Sequence, residues 1–329
     1  MSALLQRVRK SIQRHTLCPP GTQLLVGLSG GSDSVAMLFV LLELAEHGEF
    51  SVAGLAHLNH RLRSSADRDE TFCRELAGRL GCRIVVEGVD VKDHASARGL
   101  SEEDAARRIR YDFLGRAADM LGADRIAVGH TQDDQAETFL LKLMRGAGLA
   151  GLAGIYPRRG RVVRPLLEMS RAELRDYLCH LGEPWVEDET NGDLDNPRNR
   201  VRHVVLPELD RAAGGPTRAA VARTATLARE DAEWLDAVAA ERYRQLVEDT
   251  PEGLSMDAAA LAAEPRALRR RVLRSALRAT AGTREVTLEH VESAMAALEG
   301  GCGGADVPGG RVERRRTRLV IVQRKSVPK

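Results

Sequence analysis

The stretch LSGGSDSVAML (residues 28–38) sets two glycines, three serines and an aspartate into positions 29–34. An apolar run, LLVGL (24–28), leads in and an apolar-periodic stretch follows, so Ser29, Gly30, Gly31, Ser32, Asp33 and Ser34 stand where a strand turns into a helix. Such a turn binds anions: backbone N–H groups converge, the helix dipole adds partial positive charge, and glycines let the chain approach closely. The serines add hydroxyl donors. A Walker loop needs a lysine that is not here, since Val35 follows where it is sought, and GxGxxG is absent. Machinery for γ-phosphoryl transfer is therefore not visible. Asp33 among phosphate donors fits a Mg²⁺ between its carboxylate and the phosphates. The other reading is a Gly/Ser turn whose Asp33 or Ser32 caps the next helix.

A second constellation lies in GHTQDDQAET (129–138), where Asp133, Asp134 and Glu137 crowd the first turn of an expected helix. Asp134 and Glu137 are i, i+3 on one face, and His130 stands four residues before Asp134. Three acids without a cation of their own suggest a bound one, Mg²⁺ or an ammonium group. The alternative is complementation of the helix dipole, about 0.3–1 kcal/mol per acid. In RNRVR (198–202), Arg198, Arg200 and Arg202 alternate, so in extended form they share a face and offer guanidiniums to carboxylate or phosphate. A solvated edge is the plainer reading. Arg107 and Arg110, i and i+3, could reach a phosphate or pair with the acids at 102–104. His57 and His60 flank Asn59 at the end of an expected strand. No His/Cys cluster has metal-ligand spacing, so zinc is not expected.

The elements that must position these residues follow from periodicity. Apolar strands recur at 23–28, 51–58, 83–89 and 124–130, separated by stretches with apolar residues at i, i+3 and i+4. That alternation predicts an α/β fold, a doubly wound parallel sheet, with ligands past the carboxyl ends of its strands where strand order reverses. If the first and fourth strands are neighbours there, both motifs line one crevice. The stretch 203–218, with two prolines and a Gly-Gly pair, reads as a linker. Domains are expected at 1–210 and 211–329. The second is mainly helical and basic (219–247 and 265–280), with a glycine-rich segment at 299–310 and a strand-like RLVIVQ at 318–323.

Composition limits the classes. The 329 residues, 43% hydrophobic and 29% charged, are ordinary for a soluble globular protein. The longest apolar run, Val35–Leu42, falls well short of the roughly 18 residues a membrane span needs. The basic, amphipathic N-terminus reads as a surface helix. The five scattered cysteines lack any CxxC and read as reduced cytosolic thiols, so a cytoplasmic protein is expected. Net charge is +2, yet residues 1–210 hold 28 Lys+Arg against 31 Asp+Glu (−3) and residues 211–329 hold 21 against 16 (+5). Arg266, Arg270, Arg274 and Arg278 recur every four residues, opposite an apolar stripe of Leu268, Val272, Leu273 and Leu277. RVERRRTR (311–318) adds five arginines, among them Arg314, Arg315 and Arg316, against one glutamate. A polyanion partner or a solvated charged face accounts for both runs. With aromatics at 3%, a nucleic acid would be held by phosphate and shape more than by stacking.

SGGSDS resembles the SGGxDS signature of the PP-loop ATP pyrophosphatases, which cleave ATP between the α- and β-phosphates and activate a carbonyl oxygen as its adenylate. Their adenine nucleotide α-hydrolase-like fold is then expected, and the missing lysine accords with a loop that grips pyrophosphate. HLNHRLR (57–63), EEDAARRIRYDFL (102–114), GHTQDDQAETFLLKLMRGAGLAGLAG (129–154), RPLLEMSRAELRDYL (164–178), WVEDETN and RNRVR resemble the tRNA(Ile)-lysidine synthases, almost continuously from about 22 to 210. The resemblance implies ATP and Mg²⁺, adenylation of C2–O of the wobble cytidine (C34) of a CAU-anticodon tRNA(Ile), attack by the ε-amine of free L-lysine, a homodimer and no membrane. It assigns Asp134, Glu137 and Arg200 to lysine and catalysis with Asp33, and places His57, Arg107, Arg110 and His130 with the loop at ATP. The second domain, Arg266, Arg270, Arg274, Arg314, Arg315 and Arg316 foremost, is expected on the tRNA. Which of the arginines at 198, 200 and 202 meets substrate stays open. Departures from the pattern are Thr131 in place of a second histidine, Thr190 before Asn191, no aromatic between Asn191 and Arg198, and an end near 329 that resembles a short form with one C-terminal domain. The rivals are a 2-thiocytidine or 2-thiouridine synthase, for which none of the five cysteines has suitable spacing, and a non-catalytic ATP-binding module, which has no use for three acids opposite the loop.

Overall fold

The computed structural model describes residues 2–60, 66–91, 101–187, 192–301 and 303–324, the side chains of 102 and 103 apart. Thr190, Asn191, Cys302 and the end of HLNHRLR lie outside the described residues. In strand β1 (Thr22–Gly27), alternate side chains serve opposite faces. Leu24 and Val26 enter one core with Leu5, Val8, Leu38, Leu41, Leu174 and Leu178. Leu25 enters another with Phe113, Leu114, Ala117 and Ile126. A strand covered on both faces reads as an unbroken apolar run, as LLV does.

β1 pairs in parallel with β2 (Phe50–Asn59) on one side and β4 (Arg125–Ala127) on the other. With β3 (Ile84–Gly88), β5 (Arg158–Arg159) and β6 (Val162–Val163), the sheet runs β3-β2-β1-β4-β6-β5. Strand order reverses between β1 and β4, so the doubly wound sheet and the shared crevice are both present. The antiparallel β5–β6 hairpin was not legible, because two-residue strands carry no periodicity. One face holds α1 (Ala3–Arg14), α2 (Ser32–Ala45) and α7 (Arg171–Leu181); the other holds α4 (Glu102–Leu121). α3 (Ala66–Arg79), α5 (Gln132–Met144) and the short α6 (Leu149–Leu152) complete the windings. α2 is apolar almost all round and correspondingly buried over most of Val35 to Leu44, with Phe39, Leu42 and Glu43 half-buried.

The linker expected at 203–218 is instead helical from 203 to 213, and only 214–217 connect to the next helix. A π-helical turn (Val201–Val205) continues α8 (Pro197–Arg200), and α9 (Leu206–Ala213) follows. Pro207 sits in the first turn of α9 and Gly214 ends it in the left-handed region at φ 68°, so the punctuation marks helix ends. The chain divides into two compact units, Met1–Arg229 and Glu230–Lys329, a boundary inside α10 (Arg218–Leu246). Residues past 210 belong with the first unit because Val221 and Ala225 pack with Phe139 and Leu140 of α5.

The second unit is helical, as its sequence suggests, and adds a sheet. α11 (Ala258–Ala263), α12 (Arg266–Ala281) and α13 (Leu288–Glu299) accompany a five-stranded antiparallel sheet. Its order is β7 (Val247–Thr250), β8 (Gly253–Asp257), β11 (Arg318–Gln323), β10 (Gly310–Arg315) and β9 (Ala305–Val307). RLVIVQ is its middle strand. Gly310, the last residue of the glycine-rich segment, is required by strand approach: a Cβ there would lie 1.9 Å from the Val322 carbonyl oxygen. Phe113 is fully buried between α4 and the sheet, so Phe113→Ala should lower stability of the first unit by about 3–5 kcal/mol, read as a shift in its denaturation midpoint.

Candidate active site

The glycine-serine turn is built by the chain's own donors. Gly30 adopts φ +88°, open to glycine at no steric cost, and its carbonyl accepts from Val186 N–H (2.9 Å). Gly31 is the N-cap of α2, its carbonyl accepting from Ser34 N–H (3.0 Å) and Val35 N–H (3.1 Å). Ser34 is structural: its hydroxyl accepts from Ser29 N–H (3.1 Å) and donates to the Gly31 carbonyl (3.0 Å). The loop is therefore preformed, and the α2 terminus has no side-chain cap, leaving its first N–H groups for an anion. Across the β1/β4 junction, Gly129 presses on this turn, since a Cβ there would lie 3.2 Å from the Asp33 carbonyl oxygen.

GHTQDDQAET supplies the opposite wall. Thr131 caps α5 in a capping box with Asp134: Asp134 Oδ2 accepts from Thr131 N–H (2.8 Å) and Oγ1–H (3.0 Å). Its other oxygen, Oδ1, accepts from Arg198 Nη2 (3.1 Å) and Arg171 Nη2 (3.3 Å). The helix start and the arginines thus take one oxygen each. Glu137, its side chain 1% exposed, accepts from Arg198 Nε (2.7 Å) and Arg202 Nε (2.6 Å). Asp133 accepts from the Arg171 backbone N–H (2.8 Å) and pairs with Arg218 Nε at 3.4 Å. The guanidiniums of Arg198 and Arg171 and the neighbouring His130 outweigh burial and hold the Asp134 carboxyl well below the usual aspartate range.

The RNRVR segment is helical, not extended. Asn196 caps it and Pro197 occupies its first turn, a start signal that the alternating arginines obscured. On a helix, Arg198 and Arg202 are four apart and share the face toward Glu137. Arg200 falls on another side, exposed, and donates to the Leu194 (3.0 Å) and Asp195 (3.3 Å) carbonyls. The structure thus separates Arg200 from the acids and brings its two neighbours to them.

Arg171 was not singled out in the sequence, and it joins the two motifs. From the start of α7 its Nε donates to Asp33 Oδ2 (2.9 Å), its Nη2 reaches Asp134, and its Nη1 lies 3.8 Å from Glu137. Four carboxylates (Asp33, Asp133, Asp134, Glu137) so meet four guanidiniums (Arg171, Arg198, Arg202, Arg218). Burial raises the Asp33 carboxyl above the ordinary aspartate value against the pull of Arg171, with Asp134 and Asp133 adding to the rise. Arg175, also unforeseen, points its Nε at the Ser32 hydroxyl (3.4 Å).

His57 Nδ1 lies 2.9 Å from the Leu28 carbonyl, and its Nε2, buried, has no hydrogen-bond partner among the described residues. His60 and His130 likewise each keep a buried Nδ1 unpartnered there. Burial lowers all three, His60 to about 4. Arg107 and Arg110 do not pair with Asp104, whose Oδ2 instead accepts from Ser101 Oγ (2.9 Å); they stack on Tyr111 at 5.2 and 5.4 Å from the ring centre.

In the second unit, most of the arginines expected on nucleic acid have partners within the unit. Arg266 (3.3 Å) and Arg270 (2.5 Å) pair with Glu292, and Arg274 lies 3.6 Å from Asp236. Arg314 donates to the Leu298 carbonyl (2.7 Å) near the end of α13, and Arg315 pairs with Glu252 (2.6 Å) and Glu313 (3.0 Å). Arg316, at φ 54° in the β10–β11 turn, is exposed with no ion pair among the described residues.

An open parallel sheet with a lysine-free anion loop at its point of strand reversal defines a nucleotide-binding α/β protein. Residues 4–209 match the family described as PP-loop domain, and residues 256–320 match the TilS substrate binding domain. The chain belongs to the PP-loop family. It is 39% identical over 300 residues to the tRNA(Ile)-lysidine synthase of Geobacter sulfurreducens, covering 89% of this chain and 63% of that protein. It is 36% identical over 307 residues to that of Dehalococcoides mccartyi, covering 90% and 65%. The chain thus spans less than two-thirds of the length of these curated relatives. Among solved structures, the U34-tRNA thiolase NcsA from Methanococcus maripaludis shares the fold, with a TM-score of 0.57 and 18% identity over 69% of this chain and 78% of that one. No helix among the described residues is long and apolar enough to cross a membrane.

The buried histidines set an acid limit. His60 titrates near 4 in the folded chain against an ordinary 6.5, so the unfolded chain takes up its proton first. Its contribution to stability is full above pH 6.5 or so and is lost as pH falls toward about 4. His60→Gln should flatten the fall in denaturation midpoint across that window.

Proposed function

We propose that this chain ligates free L-lysine to C2 of the wobble cytidine of a CAU-anticodon tRNA(Ile) at the expense of ATP, giving lysidine, AMP and pyrophosphate. The observation that carries the reading is the opposition, across β1/β4, of a preformed anion loop and the buried Asp134–Glu137 pair, with Arg171 touching both sides. In the first step the cytosine C2 oxygen attacks the α-phosphorus, and pyrophosphate leaves held by the α2 N–H groups and the Ser32 hydroxyl. In the second the neutral ε-amine of lysine attacks C2, the C2–O bond breaks to release AMP, and the new C–N nitrogen gives up a proton to solvent. Asp134 and Glu137 hold an ammonium of lysine. Both carboxylates already accept guanidinium N–H groups, so the ammonium exchanges with or adds to these bonds instead of entering a bare anionic pocket.

Arg198 and Arg202, in place of Arg200, are proposed as the arginines of the site. The donor set at the loop suits Mg²⁺, which takes one or two carboxylates together with substrate phosphates. Arg171 occupies Asp33 Oδ2, and among the described residues Oδ1 meets only the Ser32 hydroxyl at 3.4 Å, so Asp33 would hold the ion and the ion would neutralise phosphate charge. His57 and His130 remain proposed at the nucleotide side, whereas Arg107 and Arg110, stacked on Tyr111, are not assigned to it. We assign catalysis to the first unit, in which Arg218 joins the acids, and tRNA contact to the second unit as well, in a cytoplasmic homodimer.

A sulfur-transfer reading is disfavoured by the thiols. Cys73 lies beside the loop, its Sγ 3.6 Å from where a Gly30 Cβ would stand, but burial pushes it up to about 12, as it does Cys18. A thiol so protonated is a poor nucleophile. The deciding measurement is incorporation of labelled lysine into the CAU-anticodon tRNA, with pyrophosphate release that requires that tRNA. Asp33→Asn should abolish pyrophosphate release, whereas Glu137→Gln should retain adenylation and raise the lysine requirement at least tenfold. A sulfur donor or ammonia replacing lysine would refute the assignment.

A further inference from the structure

About half of the described arginines of the first unit pair with carboxylates, and among the rest one group is clustered. Arg107 and Arg110 of α4 converge on Tyr111 with Arg164, whose Nη2 donates to the Tyr111 hydroxyl (3.4 Å) and Nη1 to the Tyr156 carbonyl (2.7 Å). Arg164 is 4% exposed, and the buried Nε atoms of Arg110 and Arg164 have no hydrogen-bond partner among the described residues. Among the described residues, Lys142 of α5 hydrogen-bonds only the Gly154 carbonyl (3.4 Å). It lies within charge range of Arg107 and of Arg159 on β5, which together with burial depress its ammonium. None of these five cations forms an ion pair among the described residues. Several desolvated like charges without a counter-charge are costly to fold, and they point to an anion supplied from outside.

The anion is an extended one. The cations run from exposed Arg159 through Lys142 and exposed Arg107 to Arg110 and buried Arg164. Their inner end lies beside His130, which feels the charges of Arg164, Arg110 and Asp134 alike. A single phosphate is satisfied by two or three such donors, whereas a polynucleotide backbone presents a charge at every step. We propose that Arg107, Arg110, Lys142, Arg159 and Arg164 form a track for the sugar-phosphate backbone of a single-stranded RNA segment, leading its base to the acids of α5. This rests on the proposed function and moves a principal RNA-phosphate grip into the first unit. There the charges are unspent, whereas Arg266, Arg270 and Arg315 are occupied by Glu292, Glu252 and Glu313.

The test is the salt dependence of tRNA affinity for the full chain, wild type against Lys142→Gln/Arg159→Gln and Arg266→Gln/Arg270→Gln. Each lost contact to a single strand should reduce the log–log slope by about 0.7, so the first pair should lose about 1.4 and the second nearly nothing. ATP affinity without tRNA, read by nucleotide titration, should not change in the first pair. An unaltered slope in the first pair, or a loss confined to ATP binding, overturns the track. A reduced slope in a chain whose wild type incorporates no lysine supports the track and removes the lysidine reading; lysine incorporation with an unaltered slope does the reverse.

Discussion

One guanidinium, that of Arg171, holds the loop after β1 and the helix after β4 in register. Its Nε is committed to Asp33 and its Nη2 to Asp134, residues separated by 101 positions that meet only because β1 and β4 are adjacent. Planar donors in a fixed fork suit this; a lysine, a single point charge on a flexible stem, could not span both with defined angles. Because the pairs are largely withdrawn from solvent, each is electrostatically stronger than its surface counterpart and costlier to break singly. The distance between anion loop and acid pair is thus set by a side chain as well as by the sheet.

What was legible in the sequence was local. LLVGL followed by SGGSDS announces strand, turn and helix within a dozen residues, and the acids of GHTQDDQAET announce a helix start; both lie where expected. Arg171 carries no such mark. Its partner Asp33 is 138 residues away, and in SRAELRDYL the residue reads as ordinary helix surface. RNRVR misled for a different reason: alternation of charge suggests a strand, but the Asn196-Pro197 cap starts a helix. The sheet of the second unit escaped notice because its outer strands are short and partly polar, VEDT being the extreme case.

The two units treat arginine differently. In the second, arginines of α12 and β10 largely pair with Glu292, Asp236, Glu252 and Glu313, stitching helix to helix and strand to strand. An arginine-rich sequence there describes internal cohesion as much as attraction for an outside anion. In the first unit the same residue type is sorted into a neutralised set at the acids and an uncompensated set around Tyr111. Net charge, mildly negative over residues 1–210, conceals that sorting entirely.

The divided carboxylate of Asp134 has a consequence for how the site can vary. One oxygen starts a helix and the other meets the arginines, so the side chain is fixed in a single rotamer before any ligand arrives, and little of its freedom remains to be lost on binding. The same arrangement binds two traits to one codon. No replacement at 134 can alter the meeting with Arg198 and Arg171 without also disturbing where α5 begins. The position is therefore constrained twice over, once by the capping box and once by the arginines.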